Sequence, residues 1–231
     1  NLVGIPGSSL LKKNDDFKNI TVVSSGRMQP DIEKIIYLKP TLVIGASGFH
    51  DKTLLKINNL GIETISTKIK DIESLNNLYK LLVKKIDIKN TKALDEVIKN
   101  CFIPKNNINN QQKNIVALVS VKPTLSPGAS SWAGSLIKRF NLNNLSDNLQ
   151  VNSQYKGYVN LSLEWLLKAR PNNLIIINTP GSSISQYQSL SIWEKIPAVK
   201  KNKVFEFEYY GLINPGNLDS INKACKKLSL I

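Results

Sequence analysis

One histidine and two cysteines in 231 residues leave little from which to build a metal centre or a nucleophilic active site. A zinc or manganese site made of several imidazoles is excluded, and two cysteines do not complete one by themselves. A Cys–His pair would have to join His50 to Cys101 or Cys225, and no supporting motif surrounds any of them. No serine sits in a GxSxG elbow, and "GIPGSS", "SPGASSWAGS" and "TPGSS" fit neither GxGxxG nor GxxxxGK[ST]. Long apolar runs are missing too. No stretch of about 18 apolar residues exists that would cross a bilayer as a helix. The opening "NLVGIPGSSLLKK" lacks the basic start and long apolar centre of a signal peptide. Neither cysteine belongs to a CxxC, which leaves two readings open: buried thiols on helices, or one disulfide in an oxidising compartment.

Acid is scarce as well. Seventeen Asp and Glu face 31 Lys and Arg, for a net charge of +14. Such an excess raises nucleic acid as a partner. The lysines are scattered, however (Lys12, Lys13, Lys34, Lys39, Lys52, Lys56), and no RNP-like aromatic signature or zinc-finger spacing accompanies them. A solvated basic surface accounts for this pattern better than a nucleic-acid interface.

What is present is alternation. Short apolar runs at 2–5, 20–24, 41–46, 63–67, 114–121, 173–178 and 203–208 read as strands. Helical patterns fill 30–39, 51–60, 71–86, 91–102, 131–141, 160–170, 186–195 and 215–228. This order predicts an α/β protein with parallel sheets. The middle differs: Ile72, Leu75, Leu78, Leu82 and Ile86 form a helical stripe, and no strand pattern occurs from 68 to 113. The expected division is a first lobe over 1–68, linking helices over 69–113, and a second lobe over 114–231.

One phrase occurs twice. "DIEKIIYLKPTLVI" starts at Asp31 and "SLEWLLKARPNNLIII" at Ser162. Each has a glutamate seven positions before a proline, a basic residue before that proline and an aliphatic run after it. With N-caps at Gln29 and Asn160, Pro30 would take the first helical position and Glu33 and Glu164 the fourth. Ile32, Ile35, Ile36 and Leu38, and likewise Leu163, Leu166, Leu167 and Ala169, then gather on one side and leave each glutamate facing solvent. Complementing a helix dipole explains either acid alone, at about 0.3–1 kcal/mol. It explains the matched pair less well.

These phrases carry a resemblance. "LVGIP", "GRMQPDIEKIIYLKPTLVIGA", "LGIETIST", "YVNLSLEWLLKARPNNLIII" and "WEKIPAVKKNKVFEFE" occur in the order usual for ABC-importer substrate-binding proteins of the cobalamin, ferric-siderophore and haem class. The resemblance implies two Rossmann-like lobes joined by a long α-helix, with a ligand cleft between them. It also implies a monomeric, non-catalytic receptor without a cofactor, periplasmic or anchored on the outer face of the cytoplasmic membrane. In this family the glutamates matching Glu33 and Glu164 dock into arginine pockets of the permease dimer. The family begins with a further strand and helix before "LVGIP", so the resemblance leaves part of the first lobe's ligand surface out of view. Thr41 and Asn172 stand where the family often has aspartate.

In open α/β sheets ligands lie beyond the carboxyl ends of the strands. The segments there bring Arg27, Phe49, His50, Trp132, Tyr209 and Tyr210, with Tyr155 and Tyr158 at a rim. Aromatic walls and an arginine suit a large, anionic metal chelate. Two have a plainer reading as well: Trp132 as a core residue, and His50 as an ordinary loop side chain and not an axial metal ligand; Trp165 and Trp193 read as packing. If the last strand ran on through both tyrosines, Tyr209 and Tyr210 would face opposite ways, leaving one for a ligand or a haem iron. The positive charge favours an anionic ferric siderophore over nearly neutral cobalamin, with haem placed third. A small α/β enzyme and a basic nucleic-acid binder remain the competing classes.

Overall fold

Two short parallel pairings organise Asn1–Lys68, the first of two units into which the chain divides; the second is Ile69–Ile231. The computed structural model describes residues 2–8, 11, 14–25, 29–87, 90–101, 113–149, 153–179 and 181–231. In the first unit, β1 (Gly4–Pro6) pairs with β2 (Thr21–Ser24). β3 (Leu42–Ala46) pairs with β4 (Glu63–Thr67), from Leu42 opposite Glu63 to Ala46 opposite Thr67. Parallel neighbours need a crossover. Helix α1 (Ile32–Tyr37) leads from β2 into β3, and α2 (Asp51–Asn59) from β3 into β4. Leu54 and Ile57 of α2 turn inward and join Ile5, Ile35 and Ile65 as the buried aliphatic residues.

The second unit opens with α3 (Ile72–Ile86) and α4 (Lys92–Cys101). α3 starts in a capping box: the Asp71 carboxylate accepts from the Ser74 backbone N–H, and the Ser74 hydroxyl oxygen accepts from the Asp71 N–H. Next come β5 (Lys113–Leu118), β6 (Ser120–Val121), β7 (Thr124–Pro127), α5 (Trp132–Arg139), β8 (Leu142–Asn144) and β9 (Tyr158–Asn160). The chain continues through α6 (Leu163–Ala169), β10 (Asn173–Asn178), α7 (Ile184–Gln188), α8 (Pro197–Lys200) and β11 (Val204–Glu208). It ends with a short, kinked α9 (Tyr209–Leu212) and α10 (Leu218–Leu228).

Four strands form a parallel sheet in the order β11-β10-β5-β8. Side chains alternate across it, so one run of apolar residues feeds two cores. Ile115, Ala117, Ile175, Ile177 and Phe207 meet α5 and α10 on one face. Val116, Leu118, Leu174 and Ile176 meet Leu166, Tyr187, Trp193 and Ala198 on the other. Trp193 is buried and Trp165 packs at the border of that second core, in keeping with their sequence reading.

Cys101 at the end of α4 and Cys225 in α10 form a disulfide across 124 positions, with Cα atoms 5.2 Å apart. That settles the alternative left open by spacing alone. Beside it, Asn222 of α10 accepts from Asn100 and donates to Glu96, which also pairs with Lys226. Helices α3 and α4 lie within a residue of their expected spans and belong to the second unit.

Two departures stand out. The run expected as one strand over 114–121 stops at Leu118, and the Val119 N–H then donates to the Leu125 carbonyl. Strands β6, β7 and β9 form a three-stranded antiparallel sheet that the sequence pattern does not announce. Their two to four residues are too short to establish a period.

Candidate functional site

The repeated phrase folds into the same object twice, with one correction. The N-caps are Asp31 and Ser162, not Gln29 and Asn160: the Asp31 carboxylate accepts from Lys34 N–H and the Ser162 hydroxyl from Trp165 N–H, both at 3.0 Å. A side-chain acceptor two residues before each glutamate defines the helix start better than Pro30, which stays outside, and Asn160 ends β9. Glu33 and Glu164 therefore occupy the second helical position, not the fourth. Both are exposed, and two residues on, Ile35 and Leu166 are buried. At the far end Lys39 and Arg170 take left-handed backbone conformations with φ of 49° and 48°. That turn stops each helix before its proline and aims the chain into β3 or β10.

In the first unit, Phe49 and His50 lie in the turn between β3 and α2, with ring centroids 4.8 Å apart. Phe49 is 51% exposed. Gln29 braces the turn by donating to the Phe49 carbonyl and accepting from the Thr53 hydroxyl. His50 is committed locally: its Nδ1 accepts from the Ala46 N–H at 2.9 Å. A neutral imidazole accepting there carries its hydrogen on Nε2, which then has no lone pair for a metal. This favours the loop reading of His50 over the axial-ligand reading. Arg27 lies outside the described residues.

In the second unit, Tyr209 and Tyr210 do not continue the strand. β11 ends at Glu208 and the backbone turns at Gly211, whose φ is 95°. A Cβ there would lie 2.1 Å from the Ser220 carbonyl oxygen, so only glycine fits. The turn frees both tyrosines from strand alternation, and their rings meet edge to face at 5.4 Å. Tyr158 joins them. Burial, then the neighbouring Tyr209, push its phenol up to about 12. At neutral pH Tyr158 is therefore a protonated hydrogen-bonding group and not a tyrosinate. Tyr155, 49% exposed, lies just before it, and its carbonyl accepts from the Tyr158 N–H.

Trp132 has a different place from the one a ligand contact needs. It is 6% exposed and its indole N–H donates to the Gly211 carbonyl at 2.8 Å. The ring packs in the core and holds the tyrosine turn from behind.

From β5 the chain goes first to β8 on one side and later to β10 and β11 on the other, so the winding reverses between β5 and β10. Crevices form at such reversals, beyond the carboxyl ends of the strands. Next to Tyr210 lies a cavity of about 610 Å³ bordered by Asn178, Glu206, Glu208, Lys223 and Lys227. Asn178 ends β10 and donates to Glu206 at 3.1 Å. The sequence reading passed over these polar residues. The alternation Glu206-Phe207-Glu208 at the end of a strand is the signal that could have found them.

No protein-family model matches the sequence, and no curated protein does. Solved structures do. The periplasmic vitamin B12 binding protein BtuF of Vibrio cholerae matches over 99% of this chain and 88% of its own, with 18% identity and a TM-score of 0.70. A possible iron-binding (periplasmic solute-binding) protein of Staphylococcus epidermidis matches over 99% and 96%, with 19% identity and a TM-score of 0.71. The S. aureus protein IsdE, complexed with heme, matches over 99% and 98%, with 17% identity and a TM-score of 0.65. The fold is that of the two-lobed periplasmic binding proteins. At these identities the likeness is one of architecture.

Proposed function

We propose that this chain is the non-catalytic solute-binding component of an ABC importer, which captures a metal chelate outside the cytoplasmic membrane and delivers it to a permease dimer. The observation that carries this reading is the twice-built unit of cap, outward acid and left-handed stop, one copy in each unit. Two exposed carboxylates in matching frames give a partner two charged points of orientation. The fold supports it, since the solved structures described above are a vitamin B12 binding protein, a possible iron-binding solute-binding protein and a protein complexed with heme. The Cys101–Cys225 disulfide is in keeping with an oxidising compartment.

The ligand surfaces would be the Phe49–His50 turn and the Tyr155, Tyr158, Tyr209 and Tyr210 group, with Arg27 as an anion contact. Trp132 supports the tyrosine turn. We assign a ferric siderophore as cargo, because a chain of charge +14 attracts anions. A protonated Tyr158 suits hydrogen bonding to a chelate better than ligation of an iron. Cobalamin, then haem, are the alternatives.

Two measurements test the proposal. Absorbance titration with ferric siderophores, cyanocobalamin and haemin should give saturable binding for one of them; none binding removes it. In the Glu33→Ala/Glu164→Ala double variant uptake should fall while chelate binding stays, and unchanged uptake would remove the docking roles.

A further inference from the structure

The two docking faces differ most clearly four residues beyond each glutamate. At about 100° per residue, the position four beyond each glutamate lies about 40° around the helix from it, on the same exposed side. In α6 that residue is Lys168; in α1 it is Tyr37, which is 83% exposed. The position three beyond is apolar in both: Ile36, 39% exposed, and Leu167, partly buried. Glu33 thus stands between two exposed apolar side chains, whereas Glu164 stands beside a lysine. Lys34, the basic residue nearest Glu33 in sequence, reaches back to the Val22 carbonyl at 3.4 Å. Among the described residues neither glutamate makes an ion pair.

We infer that the faces are unequal, and that the first forms a clasp for a planar cation, an arginine of the permease held by the Glu33 carboxylate and stacked on the Tyr37 ring. This rests on the docking role proposed above. Guanidinium is the side chain that pairs with a carboxylate and lies flat on an aromatic face at once. An exposed tyrosine beside an unpaired acid is the composition from which interface hot spots are built. At the matching position the second face has Lys168, which repels an approaching cation, in place of the ring, and Trp165 beside Glu164 is packed against the core. Its acid orients the complex, while the first face supplies most of the holding energy.

The test uses the cognate ABC permease in nanodiscs and the affinity of the full chain for it by interferometry. Tyr37→Ala should weaken binding by about three- to tenfold, the worth of a partly desolvated cation–π contact. Tyr37→Phe should bind like the original, Tyr37→Lys should lose at least as much as Tyr37→Ala, and Lys168→Tyr should tighten binding. Tyr37 supports nothing in the core, so each variant should keep its melting temperature. If Glu33→Gln weakens binding while Tyr37→Ala does not, the clasp is wrong and docking stands. If Glu33→Gln and Glu164→Gln both bind normally, the docking role fails and the clasp with it.

Discussion

Helices α1 and α6 share a cap chemistry, an outward acid, a buried aliphatic at the same offset and a left-handed stop, yet they rest on very different foundations. Around α6 lies a sheet covered on both faces, with Leu166 packed among Val116, Leu118, Leu174 and Ile176. Around α1 lie two separate two-stranded pairings, on which Val22 and Ile44 are 39% and 44% exposed. Two-stranded sheets are marginal without packing. The lesson is that local rules shape a helix and its ends almost independently of depth, while depth sets how firmly the element is held. The second unit also has a covalent tie that the first lacks.

The comparison breaks most sharply at that tie. Replacing Cys101 and Cys225 together by serine should lower stability by about 5 kcal/mol, because the bond closes a loop spanning 124 positions in the unfolded chain. Hydrogen exchange should locate the loss in the second unit, with first-unit protection unchanged. Equal loss in both would mean that the units do not open separately.

Next in size are the matched core positions. Leu166→Ala, at a site 1% exposed in a tightly covered core, should cost about 3–5 kcal/mol. Ile35→Ala, at 6% exposure in a thinner core, should cost nearer about 2 kcal/mol. Chemical denaturation of each variant decides it, and the reverse order would contradict the contrast in depth.

The smallest effect should be the one shared by both copies. Asp31→Ala and Ser162→Ala each remove an N-cap acceptor and should each cost about 1 kcal/mol. A difference well beyond that, seen by thermal unfolding, would show that depth reaches even the helix ends.

Much of this architecture was legible because its periods are long enough to read. The strands at 63–67 and 173–178 coincide with their apolar runs, and α2, α3 and α4 lie within a residue of their patterns. The cap assignment failed where two preferences competed: proline at a first helical position pointed to Gln29, while the side-chain acceptor of Asp31 decided the matter. The last strand ends at Glu208 as its apolar run predicts, but a strand period cannot foresee where the rings of Tyr209 and Tyr210 go, because the turn at Gly211 has its sharpness set by Ser220, nine residues on. Trp132 was ambiguous for a related reason. Its hydrogen bond runs to a carbonyl 79 positions away, and nothing local specifies that. The pairing of Cys101 with Cys225 depends on α4 lying against α10, a fact of tertiary packing alone.

The sulfur bridge has a topological consequence. Because it joins positions 101 and 225, the polypeptide between them is a closed ring. A protease that nicks any exposed loop inside that ring opens it without releasing a fragment, so the two pieces stay chemically attached. Digestion damage in this half would then stay invisible on a non-reducing gel until a thiol is added.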